Sequence, residues 1–324
     1  MQADKFSRRT ALTRTGLSVT AALMTGELGT ASAAEPPPNT RRQRPFLFCL
    51  NTATIRGQKL GISEEIATAA NAGYDSLEPW VGSIDEYVKA GGKLSDLRKQ
   101  LSDHGVTVES AIGFPEWLVD DDARRAKGLE QARREMDLVA QIGGKRLAAP
   151  PAGATDVRGM EITKAADRYR ALLEIGDQTG VVPQLELWGF SKCLGLLGEC
   201  VAVAMQSGHP NACVLADVFH VYRSGSDYRG FRLLNGTATH VLHMNDYPAD
   251  PPREKLDDSY RVYPGDGCAP LTDLLCLLRD NGGQMVLSLE VFNRTYWSQD
   301  ALTVAKTGLA KMKHVADNLP PRKV

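Results

Sequence analysis

Val214-Leu215-Ala216-Asp217-Val218-Phe219-His220 is an apolar run that reaches an acid, with a histidine three residues on. Three other runs share this form. Pro183-Gln184-Leu185-Glu186-Leu187-Trp188, Val241-Leu242-His243-Met244-Asn245-Asp246 and Val286-Leu287-Ser288-Leu289-Glu290-Val291-Phe292-Asn293 each carry an acid or a histidine toward the end of an apolar stretch. A charge in such a place is costly unless it is paired or holds a cation. The four runs read as strands whose far ends collect polar groups.

Four earlier runs bring the set to eight. Phe46–Thr52, Tyr74–Trp80, Val106–Ile112 and Arg146–Pro150 precede Val182–Trp188, Cys213–Phe219, His240–Asn245 and Met285–Val291. Segments of helical period lie between them. Ser63–Ala72 sets Ile66, Ala69 and Ala70 on one face, and Ala123–Ile142 sets Leu129, Met136, Val139 and Ala140. Glu161–Thr179 does the same with Ala165, Tyr169, Leu172 and Leu173, and Thr272–Asn281 with Leu274, Leu275 and Leu278. Gly73, Gly105, Gly143, Gly180 and Gly282 stand where helices end, as helix C-termini prefer. Eight strands alternating with helices predict an α/β fold, a closed (βα)8 TIM barrel over residues 46–319. An open doubly wound sheet is the runner-up, but no G-x-G-x-x-G follows the first strand. The long irregular stretch 247–264 follows strand seven, and a loop of that length in a compact domain is usually functional.

The bulk numbers suit one globular domain. Of 324 residues, 43 % are hydrophobic and 24 % charged, and the net charge is −1. Without a basic patch, binding to nucleic acid through phosphate contacts is excluded as an expectation. The N-terminus reads differently. Ser7-Arg8-Arg9-Thr10, the apolar run Leu17 to Met24 and Ala31-Ser32-Ala33 have the order of an export signal, and the paired arginines indicate the twin-arginine route. Residues 1–33 are expected to be that signal, and 34–45 an exposed proline-rich leader, so the mature chain is expected to be exported or periplasmic. The apolar run is too short for a stable membrane anchor, which needs about 20 residues. None of the six cysteines forms a C-x-x-C pair, and only Cys193 and Cys200 suggest a bridge, which is not favoured.

Three carboxylates converging with one imidazole repel one another unless a cation sits between them. Glu186, Asp217, Glu290 and His243 would make a hard, oxygen-rich site for one divalent ion, Mn²⁺ first, with Mg²⁺ or Co²⁺ next. A Lewis acid at a hydroxyketone acidifies the neighbouring C–H, and Glu186 and Glu290, three strands apart, could serve as acid and base on opposite sides of the carbon skeleton. Epimerisation or isomerisation through an enediolate results. Elimination from the same intermediate is the nearest alternative, and a non-catalytic sugar-binding barrel is the rival outside enzymes.

Four segments together resemble the xylose isomerase-like barrel superfamily, especially its sugar epimerase and inosose dehydratase branches. They are Asp217-Val218-Phe219-His220-Val221-Tyr222-Arg223, His243-Met244-Asn245-Asp246, Pro264-Gly265-Asp266-Gly267 and Ser288-Leu289-Glu290-Val291-Phe292-Asn293. The likeness runs from Phe46 to the C-terminus. It implies that Glu186, Asp217, His243 and Glu290 ligate the metal, and that His220 faces a small sugar or polyol substrate. No basic residue directly follows the His243 segment as in the best-known epimerases, and Arg253 and Arg261 are the candidates to take its place. Further substrate contacts are expected from Arg223, Glu78, Trp188 and Trp117, with Trp80 and Phe114 in the apolar wall. A homo-oligomer is compatible with the sequence, which does not name the oligomeric state.

Overall fold

A computed structural model describes residues 44–234 and 236–322; the expected signal and nearly all of the leader lie outside the described residues. Eight parallel strands alternate with helices. In chain order they are β1 (Phe46–Asn51), α1 (Ile62–Ala72), β2 (Ser76–Glu78), α2 (Val81–Lys89), α3 (Leu94–Asp103), β3 (Thr107–Val108), α4 (Asp122–Gln141), β4 (Arg146–Ala149) and α5 (Ile162–Thr179). There follow β5 (Val182–Glu186), α6 (Leu197–Gln206), β6 (Val214–Asp217), α7 (Val218–Ser224), β7 (Val241–Met244), α8 (Leu271–Asp280), β8 (Met285–Leu289), α9 (Arg294–Trp297) and α10 (Ala301–Asp317). The strand order is β3-β2-β1-β8-β7-β6-β5-β4, and a parallel bridge from Ala111 to Leu147 joins the two ends. The fold is thus a (βα)8 TIM barrel, as expected.

Strand periodicity positions the site. Successive side chains point to opposite faces, so Leu50, Leu77, Leu185, Ala216, Leu242 and Leu289 pack outward in the main core. Cys49, Leu215, Val241 and Val286 fill the barrel interior with Ile112 and Ala148. Counting on by twos from the interior residues reaches Asn51, Asp217 and His243, and by twos again Glu290; Glu78 lies opposite Asn51 in register. An apolar plug therefore sits beneath a polar layer at the C-terminal end of the strands.

Local chemistry explains the differences from the expected boundaries. β6 stops at Asp217 rather than Phe219 because Asp217 Oδ1 accepts from the His220 N–H at 2.9 Å, capping α7. β3 keeps two residues of the expected seven; beyond it Ala111 and Ile112 rejoin the sheet through single bridges to Leu147 and Trp80. α2, α3, α6 and α10 were not legible as separate helices. α6 reads Leu-Gly-Glu-Cys-Val-Ala-Val-Ala-Met-Gln, apolar on most sides and so without a clear period. Gly73 and Gly180 end α1 and α5 with φ of 93° and 76°, the left-handed cap that glycine adopts without strain. All six cysteines are free. No helix among the described residues is long and apolar enough to cross a membrane.

Candidate metal centre and reactive pocket

The four expected ligands gather around the His243 imidazole. His243 Nδ1 lies 3.2 Å from Glu290 Oε2, 3.6 Å from Glu186 Oε1 and 3.7 Å from Asp217 Oδ2. Ligand atoms of Asp217, His243 and Glu290 all fall within 4.8 Å of one another. Glu186 stands outside that tightest group but shares the same imidazole nitrogen. A cation held at about 2.1 Å by each ligand keeps neighbouring ligand atoms roughly 3.0–3.4 Å apart. The shortest of the observed spacings falls in this range and the other two lie just above it, and both ring nitrogens of His243 are buried with no hydrogen-bond partner. The donor set therefore fits a divalent ion.

The ring is aimed from behind. His243 Nε2 lies 3.1 Å from Glu78 Oε2, and the same oxygen accepts from Asn51 Nδ2 at 2.9 Å and Ser288 Oγ at 2.6 Å. Glu78 was expected to touch substrate. Instead it is completely buried behind the histidine, where it directs Nδ1 at the three acids. Asn51 also donates to Glu290 Oε1 at 3.1 Å. Asn245 donates to Asp217 Oδ2 at 3.1 Å and to the Glu290 carbonyl at 3.3 Å. These two amides orient the ligands; the sequence assigned neither a role, although Asn245 lies in one of the segments that carry the resemblance.

Arg261, from the irregular loop after β7, enters the same cage. Its Nη1 donates to Asp217 Oδ2 at 2.7 Å and to Glu290 Oε2 at 2.8 Å, and its Nη2 donates to Asp258 Oδ1 at 2.6 Å. The guanidinium lies between two aromatic faces, 4.9 Å from the Phe219 ring centre and 5.1 Å from that of Phe292. His220 Nε2 is 3.1 Å from Arg261 Nη2. Because a guanidinium only donates, Nε2 accepts and the ring proton resides on Nδ1, which has no partner. Burial lowers the His220 imidazole to about 4, so it is neutral at pH 7.

Charge in the cage is polarised. Burial works to raise the Asp217 carboxyl, but Arg261, His220 and His243 outweigh it and hold the group at about 2. Glu186 lacks the arginine; burial, with Glu290, Asp217 and Glu78 nearby, pushes it up to about 8 against the pull of His243. Burial disfavours a charged His243, yet Glu290 and Glu78 raise it well above the ordinary imidazole range.

Above this layer opens a pocket of about 190 Å³. Glu186, His220, Asp258, Arg261 and Glu290 supply its polar groups, and Trp80, Phe114, Trp188, Phe190 and Phe292 its walls. Trp188 is placed as expected; Asp258, Phe190 and Phe292 were not foreseen. Besides Glu78, two expected substrate contacts lie elsewhere. Trp117 is fully buried against Tyr169, its indole N–H bonded to the Pro150 carbonyl at 2.8 Å, and serves the core. Arg223 points away from the pocket on α7 and donates to the Leu256 and Glu254 carbonyls, tying down the loop that carries Arg261. Arg253 stacks 5.4 Å from the Tyr222 ring, also off the pocket, so of the two candidate basic residues only Arg261 reaches it.

The fold is a (βα)8 barrel whose strand ends bring together Asp217, His243 and Glu290, a group that could hold a metal ion, with Glu186 beside them. The profile described as "Xylose isomerase-like TIM barrel" matches residues 66–315, and the chain belongs to that family. Inosose isomerase of Bacillus velezensis is 24 % identical over 264 residues, covering 80 % of this chain and 93 % of that one. A 3-dehydroshikimate dehydratase of Pseudomonas aeruginosa is 24 % identical over 261 residues, 79 % of this chain and 40 % of the larger protein. Among solved structures, the IOLI protein with a binding zinc atom superposes with a TM-score of 0.77 at 21 % identity, covering 85 % of this chain and 99 % of that one.

Proposed function

We propose that this protein is a metal-dependent isomerase or epimerase of a keto-sugar or related polyol, working by proton transfer through an enediolate. The observation that carries the reading is the pair Glu186 and Glu290, which line the pocket from β5 and from beyond β8 beside the shared cation position. Relatives named as an isomerase and a dehydratase support an enzyme of this kind.

Glu186, Asp217, His243 and Glu290 would hold the ion, which when bound supplies Lewis-acid stabilisation of negative charge at a substrate carbonyl. The chain's own groups do the rest. Glu186 takes a proton from the carbon beside the carbonyl and Glu290 returns one, or the reverse. The Nδ1–H of His220 and the guanidinium of Arg261 are donors fixed in place, suited to orienting a substrate oxygen without reorganisation. The aromatic walls pack the apolar face of a sugar ring and exclude water. Dehydration is the second reading, favoured by the dehydratase relative: a leaving group β to the same intermediate would depart.

The metal assignment has a direct test. Protein loaded with Mn²⁺ and dialysed should retain about one ion per chain, and Asp217→Asn or Glu290→Gln should lower the affinity by an order of magnitude or more. Elemental analysis showing unchanged metal in both variants excludes the site. Mn²⁺ is proposed over Mg²⁺ or Co²⁺ because oxygen donors predominate while one imidazole is present.

Export by the twin-arginine route is proposed from Arg8 and Arg9. Replacing both with Lys should leave the precursor in the cytoplasm. Fractionation that finds the double-Lys form exported and processed near Ala34 as before removes this reading.

A further inference from the structure

A second cavity of about 300 Å³ adjoins the reactive pocket, and Trp80 lines both. On one side the Arg56 guanidinium lies 4.3 Å over the Trp80 ring. Toward the reactive pocket the same ring meets Phe114 and Phe292 at 5.1 and 6.4 Å, both edge-on. One indole therefore partitions the two spaces. It is anchored by its backbone N–H to Thr52 Oγ1 at 3.3 Å and its indole N–H to Asn51 Oδ1 at 3.4 Å. Being only half-buried, Trp80 leaves a rim over which a ligand can pass.

The second cavity is built from polar groups that the reaction does not use. Thr52, Arg56, Lys59, Glu65, Ser83 and Glu86 line it. Glu65 is 5 % exposed, and its Oε2 has no hydrogen-bond partner. A buried oxygen left unpaired in a cavity wall is destabilising and calls for a ligand group or water. Arg56 and Lys59 make no ion pair among the described residues. Cationic donors and carboxyl groups thus stand side by side, with two hydroxyls that both donate and accept. A cation would be opposed by Arg56 and Lys59, and an anion by the Glu86 carboxylate. A neutral polyhydroxyl unit is matched by all of it, because every hydroxyl is at once donor and acceptor.

We propose that this cavity is a second sugar subsite, and that the substrate is a keto-sugar joined to a further hydroxylated ring that crosses the rim of Trp80. The reactive pocket, at about 190 Å³, is the smaller space and takes the ring that reacts. The inference rests on the keto-sugar reading above. Trp80 then acts as the shared wall, with Arg56 over its ring on the side of the second cavity as a donor to the further sugar unit.

The test measures dissociation constants of the full, Mn²⁺-loaded protein by calorimetry for D-fructose, D-fructose 6-phosphate, and the ketose disaccharides isomaltulose and lactulose. At least one disaccharide should bind about tenfold tighter than D-fructose, the worth of one or two net hydrogen bonds. Arg56→Ala, at an exposed position, and Glu65→Leu should each remove most of that advantage while D-fructose binds as before. Two disaccharides no tighter than D-fructose, or an advantage that survives both variants, overturn the subsite and leave the keto-sugar reading standing. A gain for D-fructose 6-phosphate alone replaces the sugar subsite by an anion subsite. If metal is retained but no ketose binds in either form, the keto-sugar reading falls and the subsite with it.

Discussion

Arg261→Met should cost the metal-free protein about 3–5 kcal/mol of stability, the usual consequence of removing one partner of a buried charge pair. The arginine is 1 % exposed and touches three carboxylates, Asp217, Asp258 and Glu290. Without it, Asp217 and Glu290 face each other and Glu186 in a buried cage with only His243 as counter-charge. Methionine keeps much of the volume between Phe219 and Phe292, so packing loss is limited. A divalent ion should restore most of the deficit, since it neutralises the same oxygens, Asp217 Oδ2 and Glu290 Oε2, that Arg261 holds. Metal affinity of the variant should rise for the same reason. The sign with pH follows. The Asp217 carboxyl is depressed to about 2, so its stabilisation is full above the ordinary carboxylate range and is lost as pH falls toward 2. The deficit of Arg261→Met is therefore largest near neutrality and shrinks on acidification. Urea unfolding in chelator and in saturating Mn²⁺ measures both effects. Equal stability of parent and variant in chelator would mean that the arginine is not the resident counter-charge.

Glu186→Gln should reduce turnover by at least 10²-fold with the metal site saturated, because the substitution keeps the shape of the side chain and removes its capacity to carry a proton. Arg261 reaches Asp217 and Glu290 but not Glu186, which leaves Glu186 without a resident guanidinium partner and facing the pocket. His220→Ala, by contrast, should chiefly raise KM, since the neutral imidazole supplies an orienting donor. The measurement is solvent deuterium entering the carbon next to the carbonyl when a turned-over ketose is incubated in D₂O. Exchange by the parent and its loss in Glu186→Gln supports the assigned role. Product formed without any solvent label points instead to a hydride shift and removes the acid–base pair, while the metal site stands.

Much of the site was legible because the barrel imposes a simple rule on strand ends. Glu186, Asp217, His243 and Glu290 each follow an apolar run, and only charge at the end of such a run draws notice. Glu78 has the same form, Leu77-Glu78-Pro79-Trp80, and was noticed too, but its role was misassigned. Strand position says that a side chain faces inward; it does not say whether the side chain meets the pocket or the back of a histidine. Trp117 and Arg223 failed for a related reason. Both lie beyond strand ends, where the path of the chain decides direction: Trp117 turns into the core, and Arg223, on α7, turns toward the carbonyls of Glu254 and Leu256.

The eight-strand alternation, the inward and outward faces of each strand, and the inward placing of Glu186, Asp217, His243 and Glu290 were determined by the sequence alone. All three follow from period-two geometry, which is local and repeats along the chain. The tertiary structure alone decided what meets those residues. Arg261 is 44 residues from Asp217 and 29 from Glu290, and Asn51 is 239 from Glu290, yet each is within hydrogen-bond reach. No periodicity links positions so far apart. Their contact is set by closure of the barrel and by the path of one irregular loop, and so the resident counter-charge of the site and the second cavity beside Trp80 emerge only in the folded chain.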